Sequence, residues 1–158
     1  MVLQSPRPHE VLSAAALREP GRLSSADIRE VRRRGTTRRA SLLRLYALPT
    51  TGGWTRLALT VPARLGPAVV RNRLRRRLRE IVRLGLPVVA QSWDLLFIAH
   101  REATAASFWD LQAATYKLWL RAGVTSELPT LGPQGLRSLQ AQAAQWYAQR
   151  SPRPTVSA

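Results

Sequence analysis

The sequence predicts an α+β fold, a single domain in which a small sheet of about four strands packs with about three helices. Two observations predict it. The chain has 158 residues, of which 45% are hydrophobic, enough for one domain with a buried core. Along the chain, segments with helical periodicity and segments with strand-like patterns follow one another in the order helix, strands, helix, strand, helix.

Composition divides the chain into three parts. Residues 1–22 contain three prolines and are predicted to form a flexible N-terminal arm. Residues 23–122 carry the periodic segments and form the predicted domain. Residues 123–158 form a C-terminal extension, with a helix predicted at 134–149 and a disordered tail after it. The apolar side of that helix could dock on the domain or on a partner, and the sequence does not distinguish the two.

The first helix of the domain is predicted at 27–34. Ser24 or Ser25 can cap its N-terminus, because a serine hydroxyl accepts a hydrogen bond from the free N–H groups of the first turn. Gly35 ends it.

Three strands are predicted after this helix. Residues 42–48 alternate, so one face is apolar and the other is polar; Leu43, Leu45 and Ala47 share the first face, and Arg44 and Tyr46 share the second. Residues 55–61 form the second strand, with Leu57, Leu59 and Val61 on its core face. Residues 93–99 (WDLLFIA) are almost continuously apolar, which is typical of a strand buried on both faces.

Two further helices complete the predicted domain. One begins at Gly66-Pro67, since proline is tolerated in the first turn, and runs to about Leu84. The other covers 105–121 and is amphipathic, with apolar residues at helical spacing.

The charge of the chain is large and uneven. There are 25 basic and 9 acidic side chains, a net charge of +16. Residues 31–79 contain 14 arginines and no aspartate or glutamate. The like charges of such a block repel one another unless a polyanionic partner neutralises them. As this partner we favour a nucleic acid over an anionic membrane surface.

The helix after Gly66 concentrates this charge. On a helical wheel an apolar stripe covers one side, formed by Val70, Leu74, Leu78, Ile81 and Val82. Arginines occupy the remaining arc, and Arg83 falls with Asn72 and Arg76 on the face opposite the stripe, where we expect exposure to solvent. Guanidinium groups suit phosphate because they are planar and donate two parallel hydrogen bonds. A solvated basic face is the alternative interpretation, but Glu80 is the single acidic residue among these arginines.

Several other classes of site are excluded or disfavoured. The chain has no cysteine and only two histidines, and its carboxylates are scattered, so neither a metal centre nor a protein-borne nuclease site is expected. His100 is expected to be a surface or structural residue. Neither a secretory signal nor a membrane span is visible, and we expect a cytoplasmic protein without a membrane partner.

The stretch LGPAVVRNRLRRRLRE resembles the RNR signature of the bacterial ribonuclease P protein family. The resemblance extends over about residues 23–121. DIREVRRRGTT resembles the first helix and turn of the family, LLRLYAL and RLALTV resemble two strands, and WDLLFIAH resembles the strand after the signature helix.

The resemblance implies a left-handed β-α-β crossover and a function. The family's protein binds the catalytic ribonuclease P RNA and the 5′ leader of precursor tRNA, and the RNA removes the leader. The resemblance therefore implies no catalytic residue in this chain, no small-molecule cofactor, and Mg²⁺ held mainly by the RNA subunit and the substrate. A structural RNA-binding protein of the ribosomal type is the alternative.

The resemblance also assigns site residues. RNA binding falls on Arg71, Asn72, Arg73, Arg75, Arg76 and Arg79, with Arg64 from the basic pair after the second strand. Arg77, which the helical wheel places beside the apolar stripe, is predicted to bind RNA with them. The leader cleft falls on Tyr46, Ile28 and Arg32, and Arg44 joins it because the strand pattern puts it on the same face as Tyr46. For Tyr46, a half-buried strand aromatic without a binding role is the alternative. Ile28 and Arg32 replace two aromatic residues of the family pattern, so that wall is expected to be more aliphatic and electrostatic. His100 replaces the usual arginine after the WDLLFIA strand.

Overall fold

A computed structural model describes residues 21–51 and 54–149 of the protein. In chain order its elements are β1 (Gly21–Arg22), α1 (Ser25–Arg34), β2 (Thr36–Arg39), β3 (Leu43–Pro49), β4 (Arg56–Thr60), α2 (Ala68–Gly85), β5 (Trp93–Ala99), α3 (Phe108–Ala122) and α4 (Leu136–Gln149). The greater part of the predicted arm, residues 1–20, and the predicted tail after 149 lie outside the described residues.

The strands form one mixed sheet in the order β1-β4-β5-β3-β2. β4 is parallel to both β1 and β5, while β3 is antiparallel to β5 and β2. Helix α2 connects the parallel neighbours β4 and β5, which confirms the β-α-β crossover. The α+β class is confirmed as well, with five strands where about four were expected.

Two short strands were missed by the sequence analysis. Gly21 and Arg22 were assigned to the arm, but they pair with β4, and the Gly21 N–H donates to the Thr55 carbonyl at 3.0 Å. The first half of β2, Thr36 and Thr37, was interpreted as part of a turn, although β2 pairs with β3. Both are short strands at the edges of the sheet, and neither has an alternation of apolar and polar side chains that would identify it in the sequence.

The main core lies between one face of the sheet and the helices α2, α3 and α4. The predicted inward-facing residues of β3, Leu43, Leu45 and Ala47, are fully buried there. β5 is buried on both faces as predicted, because Leu96 packs beneath α1 while Leu95 and Phe97 face the main core. Among the described helices, none is long and apolar enough to cross a membrane.

Helix α1 covers part of the opposite face of the sheet, where Leu23, Val31 and Leu96 form a small second core. Ser24 is its cap: the Asp27 N–H donates to Ser24 Oγ at 3.1 Å, and the Ser24 N–H donates to Asp27 Oδ2 at 2.9 Å. Arg56 of β4 joins this helix to the sheet. Its guanidinium donates to Asp94 of β5 at 2.7 and 2.9 Å and to Asp27 of α1 at 3.1 Å.

Asp27 makes the attachment of α1 sensitive to acid. Its hydrogen bonds with Ser24, together with the nearby Arg56 guanidinium, hold the pKa of this carboxyl below its usual value of 3.8. A lowered pKa in the folded state adds stability above the unfolded pKa, and this stability is lost as pH falls through the folded value. We expect Asp27→Asn to destabilise the protein at neutral pH, with the difference from the unsubstituted protein shrinking below about pH 4.

Urea unfolding at neutral and acidic pH measures this difference. The exposed Glu127→Gln serves as the control, since the Glu127 side chain makes no ion pair among the described residues. A stability difference for Asp27→Asn that stays constant with pH would contradict the prediction.

The C-terminal extension continues the same core. Helix α4 begins at Leu136, after a short 3₁₀ turn, and reaches Gln149, close to the predicted 134–149. It packs on α2 through Leu139, Ala143 and Tyr147, all at most 4% exposed. The apolar side of this helix therefore docks on the domain, and the described part of 123–158 belongs to the same folded unit as 23–122.

Candidate nucleic-acid interface

Helix α2 is held along its predicted apolar stripe. Leu74, Leu78, Ile81 and Val82 are each at most 3% exposed, and Val70 at the beginning of the stripe is half-buried. Pro67 occupies the position before the first helical residue, and the preceding Gly66 has a φ of 149°, a value that residues with a Cβ rarely adopt. These contacts fix which arc of the helix faces away from the core.

Six arginines project from that arc without a carboxylate partner among the described residues: Arg71, Arg73, Arg75, Arg76, Arg77 and Arg79. Three of them use one guanidinium N–H within the protein. Arg71 donates to the Gly66 carbonyl at 3.2 Å, Arg75 to Asn72 Oδ1 at 3.0 Å, and Arg77 to the Ala106 carbonyl at 3.3 Å. The other three donate no side-chain hydrogen bond in the described structure and are exposed. The helix thus presents a continuous surface of guanidinium donors, which are of the kind that phosphate prefers.

The prediction that Arg83 is exposed was wrong. Its side chain is 9% exposed and is paired with Glu80 at 2.6 Å. Helix α4 covers this position: the Arg83 guanidinium lies 5.8 Å from the centre of the Tyr147 ring, and the Tyr147 hydroxyl donates to the Arg83 carbonyl at 2.8 Å. A helical wheel could not show this, because it contains no information about α4. The basic arc therefore ends near Arg79.

A groove lies beside α1 on the sheet face opposite the main core. Its volume is about 650 Å³, and its walls include Ile28 of α1, residues 57–60 of β4, and Arg75 and Arg79 of α2. β1 pairs only with the beginning of β4, at Arg56 and Leu57. The rest of that edge of β4 therefore has no neighbouring strand, and α2 lines the groove beside this open edge. The structure thus brings the predicted cleft residue Ile28 next to the signature helix.

Tyr46, Arg32 and Arg44 form one cluster on this same face. The Arg32 guanidinium lies 5.7 Å from the centre of the Tyr46 ring, and Arg44 Nη1 donates to the Tyr46 hydroxyl at 3.5 Å. The hydrogen bond from Arg44 and the two positive charges hold the pKa of the Tyr46 phenol below its usual range. Ile28 packs in the same small core as Tyr46. All four predicted cleft residues therefore lie together, with Tyr46 half-buried between two guanidinium groups.

The register of the sheet defines the floor of this surface. Tyr46 lies opposite Leu96, which lies opposite Ala58, and the next row is Arg44, Ile98 and Thr60. In the row on the other side, Arg56 donates to Asp94 of β5 and to Asp27 of α1. Leu96 is fully buried beneath α1, so the open part of this face is the row of Arg44, Ile98 and Thr60, with the half-buried Tyr46 beside it.

Arg64 is separated from the arginines of α2. It follows β4 in a short 3₁₀ turn and lines a different pocket, together with Arg39 and His100. His100 Nδ1 lies 3.1 Å from the Ser41 carbonyl, so this ring contacts the backbone of the β2–β3 connection. The structure places Arg64 with residues that the sequence analysis had not grouped with it.

Arg56 belongs to the arginine-rich block but is held by carboxylates at the base of α1. Sequence reasoning missed this role, because its partners Asp27 and Asp94 are distant along the chain. The described residues contain no group of three or more metal-ligating side chains. Asp27, Glu30, Glu80 and Asp94 are all paired with arginines. Within the described residues, these four carboxylates are therefore engaged by guanidinium groups.

The sequence model of the family described as Ribonuclease P matches residues 20–123. This chain belongs to the ribonuclease P protein family. The ribonuclease P protein component of Roseiflexus castenholzii is 50% identical over 95 residues, which cover 60% of this chain and 78% of that protein. The ribonuclease P protein component of Chloroflexus aggregans is 39% identical over 117 residues, which cover 72% and 87%.

Solved ribonuclease P proteins share the fold. The Staphylococcus aureus protein superposes with a TM-score of 0.61 at 23% identity, covering 66% of this chain and 96% of that one. The Thermotoga maritima protein gives a TM-score of 0.58 at 23% identity, covering 63% and 96%. The ribonuclease P family match ends at residue 123, so α4 lies beyond it.

Tyr46 allows a test of the cleft that separates the ring from the hydroxyl. If a leader base stacks on the ring, we expect Tyr46→Ala to lose about 1–3 kcal/mol of binding free energy, roughly 5- to 150-fold in affinity. Tyr46→Phe keeps the ring and is expected to bind nearly as well as the unsubstituted protein.

The affinity of both variants, each assembled with the ribonuclease P RNA, is measured by titration with precursor tRNA and with tRNA that lacks the leader. Leaderless tRNA is the control, because stacking on a leader base cannot contribute to its binding. Equal losses for the two substrates would place Tyr46 away from the leader.

Proposed function

We infer that this protein is the protein subunit of ribonuclease P, the ribonucleoprotein endoribonuclease that processes tRNA precursors. The family match carries this conclusion. The structure supports it with a rigidly held helix whose six outward arginines have no carboxylate partner among the described residues. Its partners in this function are the ribonuclease P RNA and tRNA precursors.

The two basic surfaces suit two different tasks in this assembly. Helix α2 is rigid and exposes donors along two and a half turns, as binding to a structured RNA requires. Tyr46 lies between the guanidinium groups of Arg32 and Arg44 on the sheet face that α1 partly covers, an arrangement that suits a single strand. We assign α2 and Arg64 to RNA binding, and Ile28, Arg32, Arg44 and Tyr46 to the 5′ leader.

The contribution of the protein to cleavage is electrostatic. Guanidinium groups beside the RNA subunit and the leader screen the repulsion between their phosphates and thereby stabilise the complex at low Mg²⁺. The pairing of Asp27, Glu80 and Asp94 with arginines supports a division of labour in which the RNA and substrate hold the Mg²⁺ and the RNA supplies the catalytic groups. This role places the protein in the cytoplasm with its substrates.

A structural RNA-binding role of the ribosomal type would use the same charge. It is not favoured, because the matched family is that of ribonuclease P and a generic basic protein has no need of a groove beside α1.

Reconstitution tests the proposed function. The protein is added to a bacterial ribonuclease P RNA and a precursor tRNA at a Mg²⁺ concentration where the RNA alone is nearly inactive. We expect leader cleavage at the mature 5′ end to be strongly stimulated. Binding to both RNAs without stimulation at any Mg²⁺ concentration would favour the ribosomal alternative.

A further inference from the structure

Helix α2 is fixed at its C-terminal end. Its last five residues, 81–85, are all buried, whereas Leu74 and Leu78 are the buried residues among 68–80. The exposed arginines therefore lie in the part of the helix that precedes this enclosed end. How firmly the end is held decides how precisely those arginines are placed.

The hydroxyl of Tyr147 caps this end of the helix. A carbonyl within an α-helix accepts a hydrogen bond from the N–H group four residues later, which for Arg83 is Pro87. Proline has no N–H group, so the Arg83 carbonyl needs a donor from outside the helix. The Tyr147 hydroxyl of α4 donates to it at 2.8 Å. Arg83 and Tyr147 are 8% and 4% exposed, so water has little access to replace this bond.

Tyr147 also holds the side chain of the same residue. The centre of its ring lies 5.8 Å from the Arg83 guanidinium, which is paired with Glu80 at 2.6 Å. Leu139 and Ala143 of α4 pack in the same core, where α4 contacts α2. One tyrosine therefore contacts both the backbone and the side chain of Arg83.

Helix α2 needs this support because its own sequence opposes its formation. Its six arginines between residues 71 and 79 repel one another, and its first turn contains no acidic side chain to balance the helix dipole. Packing must therefore stabilise it. The Tyr116 hydroxyl of α3 donates to the Ile81 carbonyl, but α3 lies inside the matched family region, which ends at residue 123. α4 is an additional support from beyond that region.

We propose that Tyr147 is a positioning residue for RNA binding. Through Arg83 it holds the C-terminal end of α2 and thereby keeps the arginines of that helix in one arrangement before RNA arrives. The proposal rests on the function inferred above and assigns a role in it to the C-terminal extension. Preorganised donors bind more tightly, because the helix does not have to become ordered during binding.

Tyr147→Phe in the complete chain tests the proposal, because it removes the hydroxyl and keeps the ring. Binding to a bacterial ribonuclease P RNA is measured at a temperature where a melting curve shows the variant fully folded. We expect affinity to fall roughly fivefold. The slope of log affinity against log salt should stay the same, because the number of phosphate contacts in the complex does not change. Hydrogen exchange in the last turn of α2 should accelerate.

The measurement separates positioning from stability, since a loss of stability alone would leave the affinity of the fully folded protein unchanged. Gln145→Ala, on the exposed side of α4, is the matched control and is expected to bind like the unsubstituted protein. Tyr147→Ala also removes the ring and should lose more affinity; if it fails to fold, Tyr147→Phe decides alone.

Unchanged affinity of folded Tyr147→Phe overturns the proposal. A higher affinity with a steeper salt slope overturns it too, because Tyr147 would then withhold Arg83 from RNA rather than position α2. Either result would leave the proposed function intact as long as the unsubstituted protein still stimulates cleavage.

Discussion

Replacing Arg73, Arg76 and Arg79 together by glutamine is expected to weaken binding to the ribonuclease P RNA on the order of 100-fold at moderate salt. These are the α2 arginines whose guanidinium groups have no partner in the described structure, so all of their donors are available to phosphate. The salt dependence should change as well. Each phosphate contact adds about 0.7–0.9 to the slope of log affinity against log salt, and the triple variant should therefore have a slope shallower by about two to three.

The same substitutions should leave the fold intact, because exposed side chains without partners contribute little to stability. Binding isotherms over a range of salt concentrations measure the slope, and a melting curve checks the fold. Lys117→Gln/Arg137→Gln is the control, since it removes exposed charge away from α2. If the triple variant kept the original slope, the exposed arc of α2 would not be the phosphate-binding surface.

Gly85→Ala is expected to destabilise the protein by about 2 kcal/mol, although alanine favours helices more than glycine does by about 1 kcal/mol. Gly85 has an ordinary helical φ of −88°, so its backbone would accept alanine. Space is the obstacle. A Cβ there would lie 2.6 Å from Tyr116 Cε1 and 2.7 Å from Trp119 Cζ3, both in fully buried side chains. The Tyr116 hydroxyl donates to the Ile81 carbonyl at 2.7 Å, and the ring cannot withdraw without breaking that bond.

Thermal and urea unfolding measure the effect, which corresponds to a melting temperature lower by about 5 °C. Ser138→Ala, on the exposed side of α4, is the control and should change stability little. In a Trp119→Leu background the Gly85→Ala cost should shrink, because the indole ring that opposes the new methyl group is gone. A Gly85→Ala protein as stable as the unsubstituted one would show that the rings can move aside.

The sequence predicted the helices and the central strands well. The alternation in β3 correctly placed Leu43 and Leu45 in the core and Tyr46 on the opposite face, because a strand buried on one face requires that pattern. The apolar stripe of α2 correctly predicted which side of the helix packs on the core, and therefore which six arginines point outward. Ser24 was one of two candidate caps for α1 and is the residue that caps it.

Features that depend on distant residues were not predicted. β1 and β2 are edge strands, and their pairing rather than their pattern defines them. The burial of Arg83 depends on α4, and the structural role of Arg56 depends on carboxylates in α1 and β5. The pocket of Arg39, Arg64 and Arg101 joins three connections that are far apart in the chain.

For this protein the sequence alone determined the fold class, the basic character and the helix that carries the RNR signature, because local periodicity and charge are properties of neighbouring residues. Tertiary structure decided which arginines are available. Carboxylates hold Arg56, α4 covers Arg83, and Arg73, Arg76 and Arg79 have no partner in the described structure. Whether an arginine is available to a partner depends on which charges and surfaces lie within a few ångströms of its guanidinium group, and only the packing of helices and strands brings those together.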